Sequence, residues 1–156
     1  VNWKRLASRM TGVCKLCCFA VTLGQDLDQA IKKLGRGNLM TGFMLDAIGS
    51  VLADGFAEQA QQQVTRYFKK QGLITSFRFS PGYCDWPMLP GQQSLFPFLH
   101  PETIDITLGD SGLMSPRKSI TAVMLVAEKT PAESPCFLCA RDCDHRRAPY
   151  DRKQDS

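Results

Sequence analysis

The run Arg78-Phe79-Ser80-Pro81-Gly82-Tyr83-Cys84-Asp85-Trp86-Pro87 puts a fixed cation, a hydroxyl, a stiff turn and aromatic rings into one short stretch. That mixture suits a small polar ligand. Pro81 fixes its own φ, Gly82 opens a backbone conformation closed to other residues, and Pro87 ends regular structure, so an ordered turn should hold Arg78 and Tyr83 in place. The same residues also read as plain strand-to-loop punctuation. Their neighbours have to decide.

Three further groups carry chemistry. Asp54 and Glu58 stand four residues apart on a helical pattern, where two acids form either an acidic wall facing a site or the solvated end of a helix that has run past its core. The Asp110 to Ser119 loop joins two strand patterns and mixes small polar residues with Arg117 and Lys118, which suits an anionic or flat partner or an ordinary exposed connection. Cys136-x-x-Cys139-x-x-x-Cys143, with His145 two residues on, has spacing compatible with zinc or an iron-sulfur cluster, and Cys14-x-x-Cys17-Cys18 would extend the set. Free thiols are the alternative. His100, beside Pro101, is given no role, and Trp86 and Phe96 are assigned to the core.

The elements that must position these groups follow from periodicity. Leu27, Ala30, Ile31 and Leu34 repeat at helical spacing and predict a short amphipathic helix ended by Gly35. A longer pattern, residues 39 to 71, carries Met40, Met44, Ala47, Ile48, Val51 and Gly55 on one stripe, which we read as the packed face of the central helix. Beyond Gly72 the pattern changes: residues 73–79, 104–108 and 119–127 read as strands, and 93–99 as a short helix. Helices followed by strands predict an α+β domain, with long helices packed on a mostly antiparallel sheet.

With 156 residues and 44% hydrophobic composition, the chain supports a real core in one domain. We divide it into residues 1–128, which fold, and 129–156, a Cys-rich basic tail. A start at Val1 is read as a truncated N-terminal part. The net charge of +4 is modest and many basic residues crowd the two ends, which argues against nucleic acid. The apolar run from Val13 to Leu23 is short and carries Lys15, so neither a signal peptide nor a membrane span is expected there. Seven cysteines without a secretory signal point to a reducing cytoplasm.

Four blocks occur in the order found in a known family: Ala20-Val21-Thr22-Leu23-Gly24, Leu52 to Glu58, Arg78 to Tyr83, and Met114 to Ser119. Over residues 18 to 128 the chain resembles the activation domain of cobalamin-dependent methionine synthase, above all its small stand-alone relatives. Arg-x-Ser-Pro-Gly-Tyr is the most specific block. The resemblance implies an S-adenosylmethionine site in which Arg78 meets the ligand carboxylate, Asp54 the ammonium, and Ser80 and Tyr83 face the ligand. Asp54 is shorter than the family's Glu, and no segment here matches an acidic contact that the family supplies from upstream. The resemblance further implies that a partner holds the cobalamin, that this domain places a methyl donor over the cobalt, and that a flavodoxin-like protein supplies the electron. Two rivals belong to other classes: a zinc or iron-sulfur redox accessory built on the Cys136 to Cys143 cluster, and a noncatalytic docking scaffold.

Overall fold

The computed structural model describes residues 12–84 and 86–129, together with 136, 139, 140, 142, 149 and 150. It is α+β. A three-stranded antiparallel sheet has the order β1 (Val13–Thr22), β5 (Ser119–Ala127), β2 (Ile74–Thr75), so the strand that comes last in the sequence lies at the centre. Such an order suits its composition. Ser-Ile-Thr-Ala-Val-Met-Leu-Val-Ala is apolar throughout and rich in β-branched residues, and all of it but the half-buried Ile120 is buried. A small hairpin, β3 (Thr107–Leu108) with β4 (Met114–Ser115), stands apart.

Between β1 and β2 run α1 (Gln25–Gly37) and the long α2 (Leu39–Lys69). Asn38 separates them and caps α2 by accepting the Thr41 amide at 3.2 Å. The two helices meet at glycines: a Cβ built on Gly42 would lie 2.6 Å from the Gly35 Cα. α3 (Met88–Leu99) follows β2 and ends at His100, which takes a left-handed conformation.

Alternation along the strands assigns the layers. Val126 pairs with Thr75, whose hydroxyl is 2.8 Å from Thr65 of α2, so this parity of β5 faces α2. The other parity, Val123 and Leu125, packs with Phe79, Trp86 and Leu95 of α3. α2 and α3 therefore cover opposite faces of the sheet, and Trp86, expected in the core, is there.

Several expectations need correction. The apolar run from Val13 to Leu23 contains a ten-residue strand that precedes the helices, so the order is not helices first. α3 begins at Met88 rather than 93, because Pro87 and Pro90 suit a helix's entry turn and do not block it. Ile104 ends a 3₁₀ turn, Pro101–Ile104, and only Thr107–Leu108 is strand. Most consequential is α2: the stripe of Met40, Met44, Ala47, Ile48 and Val51 faces solvent, while Gly42, Gly49, Ala53, Ala57 and Gln61 are buried. Small residues let α2 approach α1 and the sheet closely, and that approach turns its large side chains outward.

Candidate functional site

The segment read as one strand, residues 73–79, is interrupted. Thr75 pairs with Val126 and Phe79 with Val123, so four steps along this segment oppose three along β5. One residue is extra, which makes a β-bulge. Ser76 builds it: its amide bonds the Leu125 carbonyl at 2.9 Å, and its hydroxyl, not a backbone carbonyl, accepts the Leu125 amide at 2.9 Å. Regular pairing resumes at Phe79, which exchanges both backbone bonds with Val123 at 2.8 Å.

The bulge directs Arg78 toward α2. Its side chain is 2% exposed, and it donates from Nη2 to Asp54 Oδ1 at 2.6 Å and from Nη1 to Glu58 Oε2 at 2.9 Å. Gln61 Oε1 accepts the Arg78 backbone amide at 3.2 Å and lies 3.4 Å from Nη1. Asp54, Glu58 and Gln61 stand on one margin of α2 at helical spacing, so a single helix edge supplies every acceptor. Burial makes these bonds necessary, because a guanidinium cannot shed its proton.

Two residues further on, the chain turns. Tyr83 N–H bonds the Ser80 carbonyl at 3.0 Å, Gly82 N–H the Trp86 carbonyl at 2.9 Å and Trp86 N–H the Tyr83 carbonyl at 2.9 Å. Gly82 sits at φ +95°, open to glycine, and Cys84 at φ 51°. Asp85 lies outside the described residues.

This turn forms one wall of a cleft of about 410 Å³. Ser80 and Tyr83 line it from the turn, Gln92 from α3, Thr121 from β5, and Met114 and Arg117 from the loop between β4 and β5. Ser80 is buried, and among the described residues its hydroxyl has no hydrogen-bond partner. Buried hydroxyls of this kind are uncommon and call for an explanation. By contrast Thr121 Oγ1 donates to Gln92 Oε1 at 2.8 Å, so that polar pair is satisfied. Tyr83 is half-exposed at the rim.

The Met114 to Ser119 loop is tied down from the other side. Arg117 N–H bonds Asp28 Oδ2 at 2.7 Å, and Lys118 Nζ reaches Asp46 Oδ1 at 2.9 Å and Ser50 Oγ at 2.8 Å. The Lys118 hydrogen bond, aided by the charges of Lys118 and Arg117, holds the Asp46 carboxyl below the ordinary carboxylate value, against the opposing effect of desolvation. Ser119 Oγ lies 2.6 Å from the Pro116 carbonyl and 2.9 Å from Thr22 Oγ1. The Arg117 guanidinium is mostly exposed, with Nη1 3.8 Å from Asp46 Oδ1.

The residues singled out in the sequence thus fall into two groups. Arg78 and Asp54 are bonded to each other and do not line the cleft. Ser80 and Tyr83 do line it, joined by Arg117 from a loop that the sequence had marked. What spacing alone did not reveal is Gln92, a neutral residue inside an apolar helix, and the bulge, which only a residue count against β5 exposes.

Among the described residues no group of three His, Cys, Asp or Glu is arranged to hold a metal ion. Cys143 and His145 lie outside them. The Cys139 amide bonds the Cys136 carbonyl at 3.3 Å. In β1, Cys14 donates from Sγ to the Val126 carbonyl at 3.2 Å. Burial raises the pKa values of Cys17 and Cys18, with the neighbouring Cys17 adding to the rise at Cys18.

Comparison with known proteins adds one match. A family model described as vitamin B12 dependent methionine synthase, activation domain, matches residues 6–141. That span takes in Cys136 and Cys139 and stops short of Cys143. A search of curated proteins finds no match.

Proposed function

The chain belongs to the activation-domain family of vitamin B12-dependent methionine synthase, and from that premise we propose that it is an S-adenosylmethionine-binding module serving the reductive methylation of a corrinoid. The family sets the broader role, reactivation of cobalamin alongside a cobalamin-binding partner. Our reading adds the methyl donor, its site, a methyltransferase setting, a flavodoxin-like electron donor and a cytoplasmic location.

The observation that carries the reading is the Ser80 hydroxyl, buried at the cleft without a hydrogen-bond partner among the described residues. A ligand oxygen or nitrogen would satisfy it. The cleft volume lies within the range of sites for ligands of this size, and its mixed lining suits a molecule with a polar amino-acid end and a flat, acceptor-rich base. Ser80 and Tyr83 would hold the ligand in the cleft; Arg78 and Asp54, which the family resemblance assigned to its carboxylate and ammonium, are bonded to each other away from the cleft and would act by fixing the register of its wall. When bound, S-adenosylmethionine supplies the methyl group. The chain's own contribution is positioning: the hydrogen-bonded turn and the tethered loop fix the cleft walls before any ligand arrives, so little ordering is left to oppose binding. No proton transfer is required of it.

Calorimetric titration with S-adenosylmethionine tests the proposal. The 156-residue chain should bind, and Tyr83→Ala, at a half-exposed position whose loss spares the core, should bind about tenfold or more weakly. No binding by the parent chain, or equal affinity for both proteins, overturns it.

A further inference from the structure

The function proposed above leaves one large surface unused: the side of α2 that faces away from the sheet. Because α2 packs through Gly42, Gly49, Ala53 and Ala57, its large apolar side chains from Leu39 to Phe56 point outward, Leu39 at 84% and Val51 at 73% exposure. The acids of this region do not interrupt the face. Asp46 is engaged with Lys118, and Asp54 and Glu58 with Arg78.

We propose that this face is a two-fold contact between two copies of the chain, α2 against α2. Its area fits. The side chains on and beside the seam (Met40, Met44, Ile48, Val51 and Leu52) leave on the order of 500 Å² facing out on each copy, about 1,000 Å² for the pair, the area that a specific interface has to reach. Its pattern fits as well. Met40, Met44, Ala47, Val51 and Gly55 follow one another at spacings of four, three, four and four, the repeat of a seam between helices. Ala47 and Gly55 are small and exposed, with open space above Gly55, and they make hollows beside Phe43, Ile48 and Leu52 into which a partner's side chains can enter. A self-complementary apolar face without charges is what an isologous pair requires. Geometry permits it too, because the ladder parity puts α2 and α3 on opposite sides of the sheet, so pairing through the outer side of α2 leaves both clefts open.

By length and composition α2 is also apolar enough to cross a membrane. Two features favour a helix partner over lipid: the alternation of large and small residues along the seam, and the confinement of the adjoining basic residues, Lys32, Lys33 and Arg36, to the end of α1 beside the start of the face.

Sedimentation velocity on the 156-residue chain from about 1 to 100 µM decides the matter. A dimer should form with rising concentration. Val51→Glu should raise its dissociation constant by about a hundredfold or more, since two unpaired carboxylates would meet in the contact. Met44→Lys should do the same, while Gln63→Glu, on the polar continuation of α2, should leave the dimer intact; circular dichroism establishes that each variant is folded. A chain that stays monomeric throughout, or a dimer indifferent to both seam variants, overturns the proposal. So does a monomer that sediments with phosphatidylserine-containing vesicles, which assigns the face to lipid.

Discussion

Neutralising the two acids around Arg78 should cost the fold more than removing Arg78. The guanidinium is almost fully buried, while the side chains of Asp54 and Glu58 are 39% and 41% exposed. In Asp54→Asn/Glu58→Gln the cation stays buried without a counter-charge, and leaving a buried charge uncompensated costs about 3–5 kcal/mol. Amide oxygens still accept some of its hydrogen bonds, which sets the expectation at about 3 kcal/mol. In Arg78→Met the apolar replacement fills much of the same space, and the two carboxylates, each reachable by water, lose a screened attraction worth about 1 kcal/mol apiece at most. That predicts about 1–2 kcal/mol. Urea unfolding at pH 7, followed by Trp fluorescence with the denaturant slope held common, measures both; in a melt the acid pair should lower the midpoint by about 6–12 °C. Each single acid variant should cost less than half of the double, because the remaining acid still serves the guanidinium. An acid pair whose loss costs under about 1 kcal/mol, or less than Arg78→Met, would refute the view that the acids serve a buried cation.

Two more predictions concern the elements around the cleft. Gly42→Ala should destabilise the chain by about 1–3 kcal/mol despite a helix-propensity gain of about 1 kcal/mol, because its Cβ would lie 2.6 Å from the Gly35 Cα and force α1 from α2; an equal or higher urea midpoint would contradict the close approach. Asp46, whose carboxyl is held low by Lys118, contributes stability that is complete above the ordinary carboxylate pKa near about 4 and is lost as pH falls through its folded value. The unfolding free energy of Asp46→Asn should therefore fall less steeply than that of the parent below about pH 4, and parallel curves would remove Asp46 from the account.

How much of this was legible in the sequence depends on what each signal measures. Helical spacing located α1 and α2 to within a few residues, and the apolar run at residues 119–127 gave β5 its bounds, because burial on both faces leaves no ambiguity. Spacing could not say which way the α2 stripe faced. Periodicity reports that large apolar residues share one side; it does not report that Gly42, Gly49, Ala53 and Ala57 share another and that the helix packs there. The family match spans most of the chain and rests on blocks that were visible in the residues. The cleft was half legible: Ser80, Tyr83 and the 114–119 loop were marked, whereas Gln92 gave no signal, since its place at Thr121 is a property of the layers and not of its neighbours in the sequence.

Arg78 shows most clearly why the residue count matters. Had β2 continued in the register that pairs Thr75 with Val126, position 78 would stand opposite Val123, facing Trp86, Leu95 and Leu125. A guanidinium there would be buried among apolar groups with no acceptor, at a cost of several kcal/mol. The extra residue taken up at Ser76 moves Phe79 into that position and turns Arg78 to the opposite face, where α2 presents Asp54, Glu58 and Gln61. The same shift sets where the turn begins, and so which side chain, Ser80, arrives at the cleft. Arg78 and Ser80 are therefore coupled through the backbone: the ion cluster on α2 anchors the bulge, and the bulge fixes the register of the cleft wall. Inserting one residue between Ser76 and Phe79 should cost far more than an insertion in a surface loop, because with the bulge kept it would set Arg78 opposite Val123, returning the cation to the core and carrying the hydroxyl away from the cleft together.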